Sequence, residues 1–281
     1  MRKTFIILLI LCVPFIIKAQ AKFATSDQIA AFFKTKTMLV LDEDPFSPGN
    51  IELEDAFKKF WKITPYEIIK MEDFESKRKN PALSFVMISQ ASYTEREEVT
   101  NITLLNFVLG SKTGSFTAMP DLGSIPLSIR EEDEESFDYL IPLLVQFLQS
   151  QIRYLNDHPE TDMKNMPDYY NTFTKDIITK ELWIPQAALT ADVNTLEKIK
   201  GIYPGKVKIV TTEEIEKAIA ARMENVLTTH IVGPVAGATK GKCWKMVISA
   251  KDGKAYYVAE HFVNEDKQSG LLEKDFKTFA K

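Results

Sequence analysis

Two hydrophobic periods alternate along the chain, one near 3.6 and one near 2, and together they lay out the same series of elements twice. After a short amphipathic helix over 26–34, the run 37–41 reads as a buried strand, followed by the turn-rich stretch 42–50. A helix is predicted over 51–61, where Ile51, Leu53, Ala56, Phe57, Phe60 and Trp61 fall mostly on one face. A strand at 66–69, a short helix at 72–77 and strands at 83–89 and 102–109 come next, with Gly110 and Gly114 marking a turn. A strand at 125–129 then runs into a long helix. Its predicted first turn carries Glu131, Glu132, Asp133, Glu134 and Glu135, which suit the positive end of a helix dipole, and its apolar stripe runs from Phe137 to Leu155.

The stretch from Asn156 to Asp168, with Pro159 and Pro167, breaks the pattern, and a second series begins beyond it. A strand at 182–184, a helix at 193–199 and a strand at 207–210 are followed by Thr211 and Glu214 at capping-box spacing. They precede a helix carrying Ile215, Ala218, Ile219 and Met223. Strands at 226–232 and 244–249, a hairpin turn at Asp252 and Gly253, a strand at 255–263 and a helix with Leu271, Leu272, Phe276 and Phe279 on its apolar side complete the chain. Both series run strand, helix, strand, helix, three strands and a closing helix. Lys36 corresponds to Lys180, Phe74 to Ile215 and Trp61 to Tyr203. The predicted fold class is therefore α/β of mixed α+β character, with two similar tandem units, each a mixed five-stranded sheet with helices packed on it. The predicted division is 22–156, a linker at 157–179, and 180–281. The long helix exceeds its counterpart, so Phe147, Leu148, Ile152 and Leu155 are expected to pack on the second unit or the linker.

The first residues change the picture of where the protein works. Arg2 and Lys3, an apolar run from Phe5 to Ile17 interrupted by Pro14, and the small-residue stretch around Ala19 and Ala21 follow the order of a secretory signal peptide. Cleavage is expected near Ala19 or Ala21, giving an exported protein that is periplasmic or extracellular, with no transmembrane segment in the mature chain. Leu11 ahead of Cys12 argues against lipidation. Removing residues 1–21 takes away Arg2, Lys3 and Lys18 and no acid, which moves the formal net charge from −4 to −7. Lys and Arg are scattered, so nucleic acid is not an expected partner. Cys243 alone remains after cleavage, so no internal disulfide can form, and packed cores must supply the stability.

The segments EEIEKAIA at 213–220, HIVGPVAG at 230–237 and ISAKDGKAYYV at 248–258 resemble periplasmic α/β modules of the TolB amino-terminal and CsgG-like kind. The first half departs from that pattern, with no counterpart of Gly233 and a longer loop in place of the Asp-Gly hairpin. The resemblance implies a binding or assembly role in the cell envelope without catalysis.

Candidate chemistry is sparse. Cys243 and His230 fall on neighbouring predicted strands, where a nucleophile and base would need one face and a suitable register. An ordinary buried thiol and sheet histidine is the competing reading, and it is favoured. The segment 237–243 (GATKGKC) falls one residue short of a phosphate-binding loop and leads into a strand. Asp157, His158, Glu160 and Asp162 are candidate metal ligands by residue type, and Asp42, Glu43 and Asp44 are candidate ligand contacts after a strand. No cofactor is expected. The expected function is a noncatalytic envelope protein that binds an envelope protein or polymer. The alternatives are a small-solute binder with its site between the halves, and a hydrolase of unidentified residues.

Overall fold

The computed structural model describes residues 22–281 except 45–46, 96–97, 113–114, 130–136 and 236. The proposed signal segment, the acidic run Glu131 to Glu135 and Gly114 lie outside the described residues. The first unit runs α1 (Ser26–Phe32), β1 (Lys36–Leu41), α2 (Pro48–Phe60), β2 (Tyr66–Lys70), α3 (Met71–Lys77), β3 (Leu83–Glu95), β4 (Glu98–Leu109), β5 (Ile125–Ile129) and α4 (Ile141–Asp157). After α5 (Met166–Asn171), the second runs β6 (Glu181–Pro185), α6 (Leu196–Lys200), β7 (Lys206–Val210), α7 (Thr212–Ala220), β8 (Val226–Val232), β9 (Lys242–Ser249), β10 (Ala255–Phe262) and α8 (Glu273–Phe279).

The two five-stranded sheets share one topology: β2-β1-β3-β4-β5 in the first and β7-β6-β8-β9-β10 in the second. In each, the first strand pairs parallel with the second and third, because a helix or helical turns intervene, and the remaining neighbours are antiparallel. Several details depart from the sequence expectation. β3 and β4 are longer than predicted, since the polar residues near their shared tip pair with each other and not with a core. Met223 lies beyond the end of α7, and Leu271 and Leu272 precede α8, where Leu272 is the cap residue. Val193 belongs to a single 3-10 turn before α6.

Alternation along the strands sorts each sheet into two apolar faces. Met38, Val40, Phe85 and Met87 join Phe74 of α3 on one side of the first sheet. Leu39, Val86, Leu105 and Phe107 face α2 and α4 on the other. In the second sheet Leu182, Ile184, Leu227 and Val247 face Phe276 and Phe279 of α8. Its opposite face, with Val226, Met246 and Ile248, joins α7 and the α2/α4 layer of the first unit in one continuous core. The space between the units is thus largely filled.

Helix α4 makes this possible because it is apolar on two sides. Ile141, Leu144, Leu148, Ile152 and Leu155 form one stripe, and Leu143 and Phe147 a second, all buried. The β9–β10 turn sits directly on that second stripe: a Cβ on Gly253 would stand 2.7 Å from both Leu143 O and Phe147 N, and its φ of +72° favours glycine. Phe147 also meets the linker residue Tyr170, with ring centroids 5.4 Å apart.

The segment 157–179 is packed rather than a loose tether. Met163, Met166, Tyr170 and Ile177 are buried. The Asn171 amide side chain bonds Val258 N and O at 2.9 and 3.0 Å, closing the outer edge of β10.

A shared core predicts shared unfolding. Leu148→Ala should lower stability by about 2–5 kcal/mol in urea titrations. Near-ultraviolet dichroism and Trp fluorescence should report a single coincident transition for both units. Two separate transitions would refute the shared core.

Candidate functional site

The residues singled out in the sequence do not assemble into one site. On the second sheet His230 pairs with Met246, whereas Cys243 pairs with His261. Residues directly opposite share a face, so His230 points into the inter-unit core and Cys243 into the layer under α8. The register places the two candidate residues on opposite faces of the sheet, so they form no dyad. His230 is buried and its Nε2–H donates to Pro126 O of β5 at 2.7 Å, tying the sheets together. Burial holds its pKa below the ordinary imidazole value, and the bond to Pro126 only partly offsets this.

Cys243 lies in a polar cluster beneath α8. Gly270 N donates to its Sγ at 3.4 Å, and burial raises the thiol above its usual range. Beside it Lys245 and Asp275, 1% and 0% exposed, form an ion pair at 2.5 Å. Asp275 also accepts from Tyr257 Oη at 2.7 Å and Leu272 N at 2.8 Å. A buried pair with its remaining lone pairs occupied is a structural device that positions the start of α8. His261 donates from Nε2 to Gln268 O at 3.0 Å, and its Nδ1 is buried without a partner. A raised thiol pKa is the reverse of what nucleophilic activation requires.

The remaining candidates have local roles. Asp42 accepts from Asn50 Nδ2 at 2.7 Å and Asp44 N at 2.9 Å, which fixes the start of the loop after β1. Asp42 and Glu43 line a cleft of about 690 Å³ at the carboxyl ends of β1 and β2, where Glu54, Glu72 and Asp73 add further acids. His158 Nδ1 lies 3.3 Å from Glu160, and Asp162 accepts from Lys164 N and pairs with its ammonium at 3.0 Å. Asp157 stands beside Asn156. Among the described residues no group of three or more His, Cys, Asp or Glu side chains is placed to hold a metal ion.

What the sequence pattern did not bring forward is the seam between the units, where two charged clefts open at opposite ends of α7. At its amino end a cleft of about 580 Å³ gathers Glu52 and Asp138 from the first unit and Glu213 and Glu216 from the second. The Glu52 carboxyl is raised by burial and then by Glu216, Asp55 and Asp138. At the carboxyl end a cleft of about 430 Å³ is lined by Lys62 and Arg153 from the first unit and Arg222, Asp252 and Lys254 from the second. Its floor is the polar stripe of α4 at Gln146, Gln149, Ser150 and Arg153. That i, i+3, i+4, i+7 spacing was the legible signal. Gln149 is buried and spends both ends of its amide on the end of α2, donating to Phe60 O at 3.0 Å and accepting from Lys62 N at 2.8 Å.

Fold and site together define a two-unit mixed α/β protein with a closed core between its sheets and charged clefts along their seam. No family model matches the chain, and no curated protein or solved structure is significantly similar to it. Among the described residues no helix is long and apolar enough to cross a membrane.

Two outcomes test the assignment of structural roles. Lys245→Met strands a buried carboxylate and should cost about 3–5 kcal/mol, and adding Asp275→Asn should recover part of that loss. A loss below about 1 kcal/mol in urea titrations would show that the pair is not structural. For His230, the unfolded chain binds a proton near pH 6.5 while the folded chain resists it. Its stabilising contribution is therefore present above about pH 6.5 and is lost as pH falls toward the lowered folded value. His230→Gln should flatten the stability profile below about pH 6.5. An unchanged slope would contradict that account.

Proposed function

We propose that this chain is an exported, noncatalytic binding protein of the cell envelope that recognises an envelope protein or polymer along the seam between its two units. The signal-like amino terminus and the resemblance of the second half to periplasmic binding and assembly modules support the compartment and the class. The observation that carries the reading is that side chains from both units converge on the same open clefts, while the core beneath those clefts is closed. A surface assembled from two units that share one core is held at fixed geometry, which reduces the ordering cost of recognition. The dyad visible in the sequence is split across a sheet, and the one thiol of the mature chain is buried with a raised pKa, which supports binding over covalent catalysis. A second reading, a small solute held at the seam, is favoured by the cleft volume of about 430 Å³, which falls in the range of small-molecule sites.

A photocrosslinking amino acid placed at Ser150 or Thr212, on the two seam clefts, tests the reading in producing cells. A discrete adduct is expected from these positions and none from Lys277 on the outer helix α8. Adducts from Lys277 alone, or a measurable turnover by the purified protein, would overturn it.

A further inference from the structure

We propose that the cleft at the carboxyl end of α7 is a binding site for a small organic oxyanion bearing phosphate or carboxylate groups. The inference deepens the reading of the seam as the recognition surface and rests on it. Lys62 and Arg153 of the first unit and Arg222 and Lys254 of the second meet in this cleft, and Asp252 is the one carboxylate lining it. Asp252 is already engaged, accepting from Lys254 N at 3.2 Å to close the β9–β10 turn. Among the described residues none of the four cations has a carboxylate within ion-pair distance. The chain as a whole is net negative, so four cations against one carboxylate around a single concavity make a local field of the opposite sign. The helix dipole of α7 accounts for a cation at Arg222, but not for the three contributed by α4, the end of α2 and the hairpin.

Arg222 supplies an independent argument. It follows the C-cap Ala221, and its N–H donates to Ile219 O while Met223 N donates to Ala218 O, both at 3.0 Å. That is the pairing of a Schellman motif, whose left-handed position glycine fills with least strain. Here an arginine occupies it at φ +51°, the only non-glycine among the described residues with positive φ. The position therefore carries a backbone cost that glycine would avoid. From there the guanidinium crosses the seam to lie 5.9 Å from the centre of the Phe60 ring in the first unit, at the rim of the cleft. Lys254 is likewise held against Phe173, 3.4 Å from the ring centre. Tyr169 forms an aromatic wall, braced by Tyr154 stacked at 3.7 Å. Guanidinium groups suit bidentate pairing with phosphate or carboxylate, and the volume of about 430 Å³ leaves room for an organic body beside the charged group.

Titration calorimetry of the full mature chain with pyrophosphate and with citrate, against sodium chloride matched for ionic strength, tests the site. Saturable binding of one or both is expected, and which of them binds separates a phosphate ligand from a carboxylate ligand. Arg153→Ala and Arg222→Gly should each weaken binding about tenfold or more, and the double variant should abolish it. Lys277→Ala, which removes the same charge from the outer helix α8, should leave it unchanged. Because glycine suits the Schellman position, Arg222→Gly should melt no lower than the parent, so its loss of binding cannot be a loss of folding. No saturable response to either anion, or an equal response in the double variant, would overturn the proposal. If specific seam crosslinks survive that failure, the anion site falls and the seam reading stands.

Discussion

Everything in this molecule depends on a sheet having two faces to bury. The second sheet has α6 and α8 for one face, but α7 alone, a helix of nine residues, for the other. Most of that second face would meet water if the unit stood by itself. It is covered instead by the α2/α4 layer that also covers the first sheet, so α4 lies in the middle of the protein with apolar side chains on two sides. On the side that meets the β9–β10 turn and Tyr170, burial of Leu143 and Phe147 contributes about 1.5–3 kcal/mol each before ordering entropy is subtracted, whereas Leu148, Ile152 and Leu155 lie on the other stripe. The two units are therefore halves of one core, and the bond from His230 to Pro126 adds direction to an interface whose strength is hydrophobic.

That packing also decides where charge can sit. With the centre of the interface closed, polar side chains contributed by both units are pushed to its rims, and α7 spans from one rim to the other. Its Thr211–Glu214 capping box and acidic first turn face one cleft, and Arg222 beyond its last turn faces the other. The dipole of α7 favours this polarity, and the first unit reinforces it with Glu52 and Asp138 at one end and Lys62 and Arg153 at the other. Opposite charges at the two ends of a rigid seam give it an electrostatic direction, so a partner of mixed charge would dock in one orientation only.

Much of the fold was legible because periodicity is a local property. The order of strands and helices, the capping box at Thr211 and the Asp-Gly turn all follow from short windows of sequence, and the identical strand orders follow from the repeated series. The candidate site was not legible in the same way. Placing Cys243 and His230 together required a strand register, which depends on pairing between residues far apart, and the register put them on opposite faces. The cluster of Lys62, Arg153, Arg222 and Lys254 joins residues from four separate elements across two units, and only the docking of the units brings them together. The polar stripe Gln146, Gln149, Ser150, Arg153 was visible in principle, but the stronger apolar stripe on the same helix masked it.

The low identity between the two units follows from the same asymmetry. Phe74 and Ile215 hold corresponding places in α3 and α7, and both are buried, yet α3 closes an outer face while α7 faces the partner unit. The outer helix uses a large aromatic backed by Phe85 and Phe116, with ring centres 5.2 and 5.6 Å away. A helix between two layers needs the slimmer Ile215, Ala218 and Ile219 to let the layers approach. Trp61 and Tyr203 diverge in a parallel way: the indole N–H donates to Thr64 at 3.1 Å, whereas the Tyr203 hydroxyl is buried without a partner and its pKa is pushed up to about 12 by burial. Two units of shared topology carry unlike side chains when they are packed back to front, because each equivalent position then answers to a different neighbour.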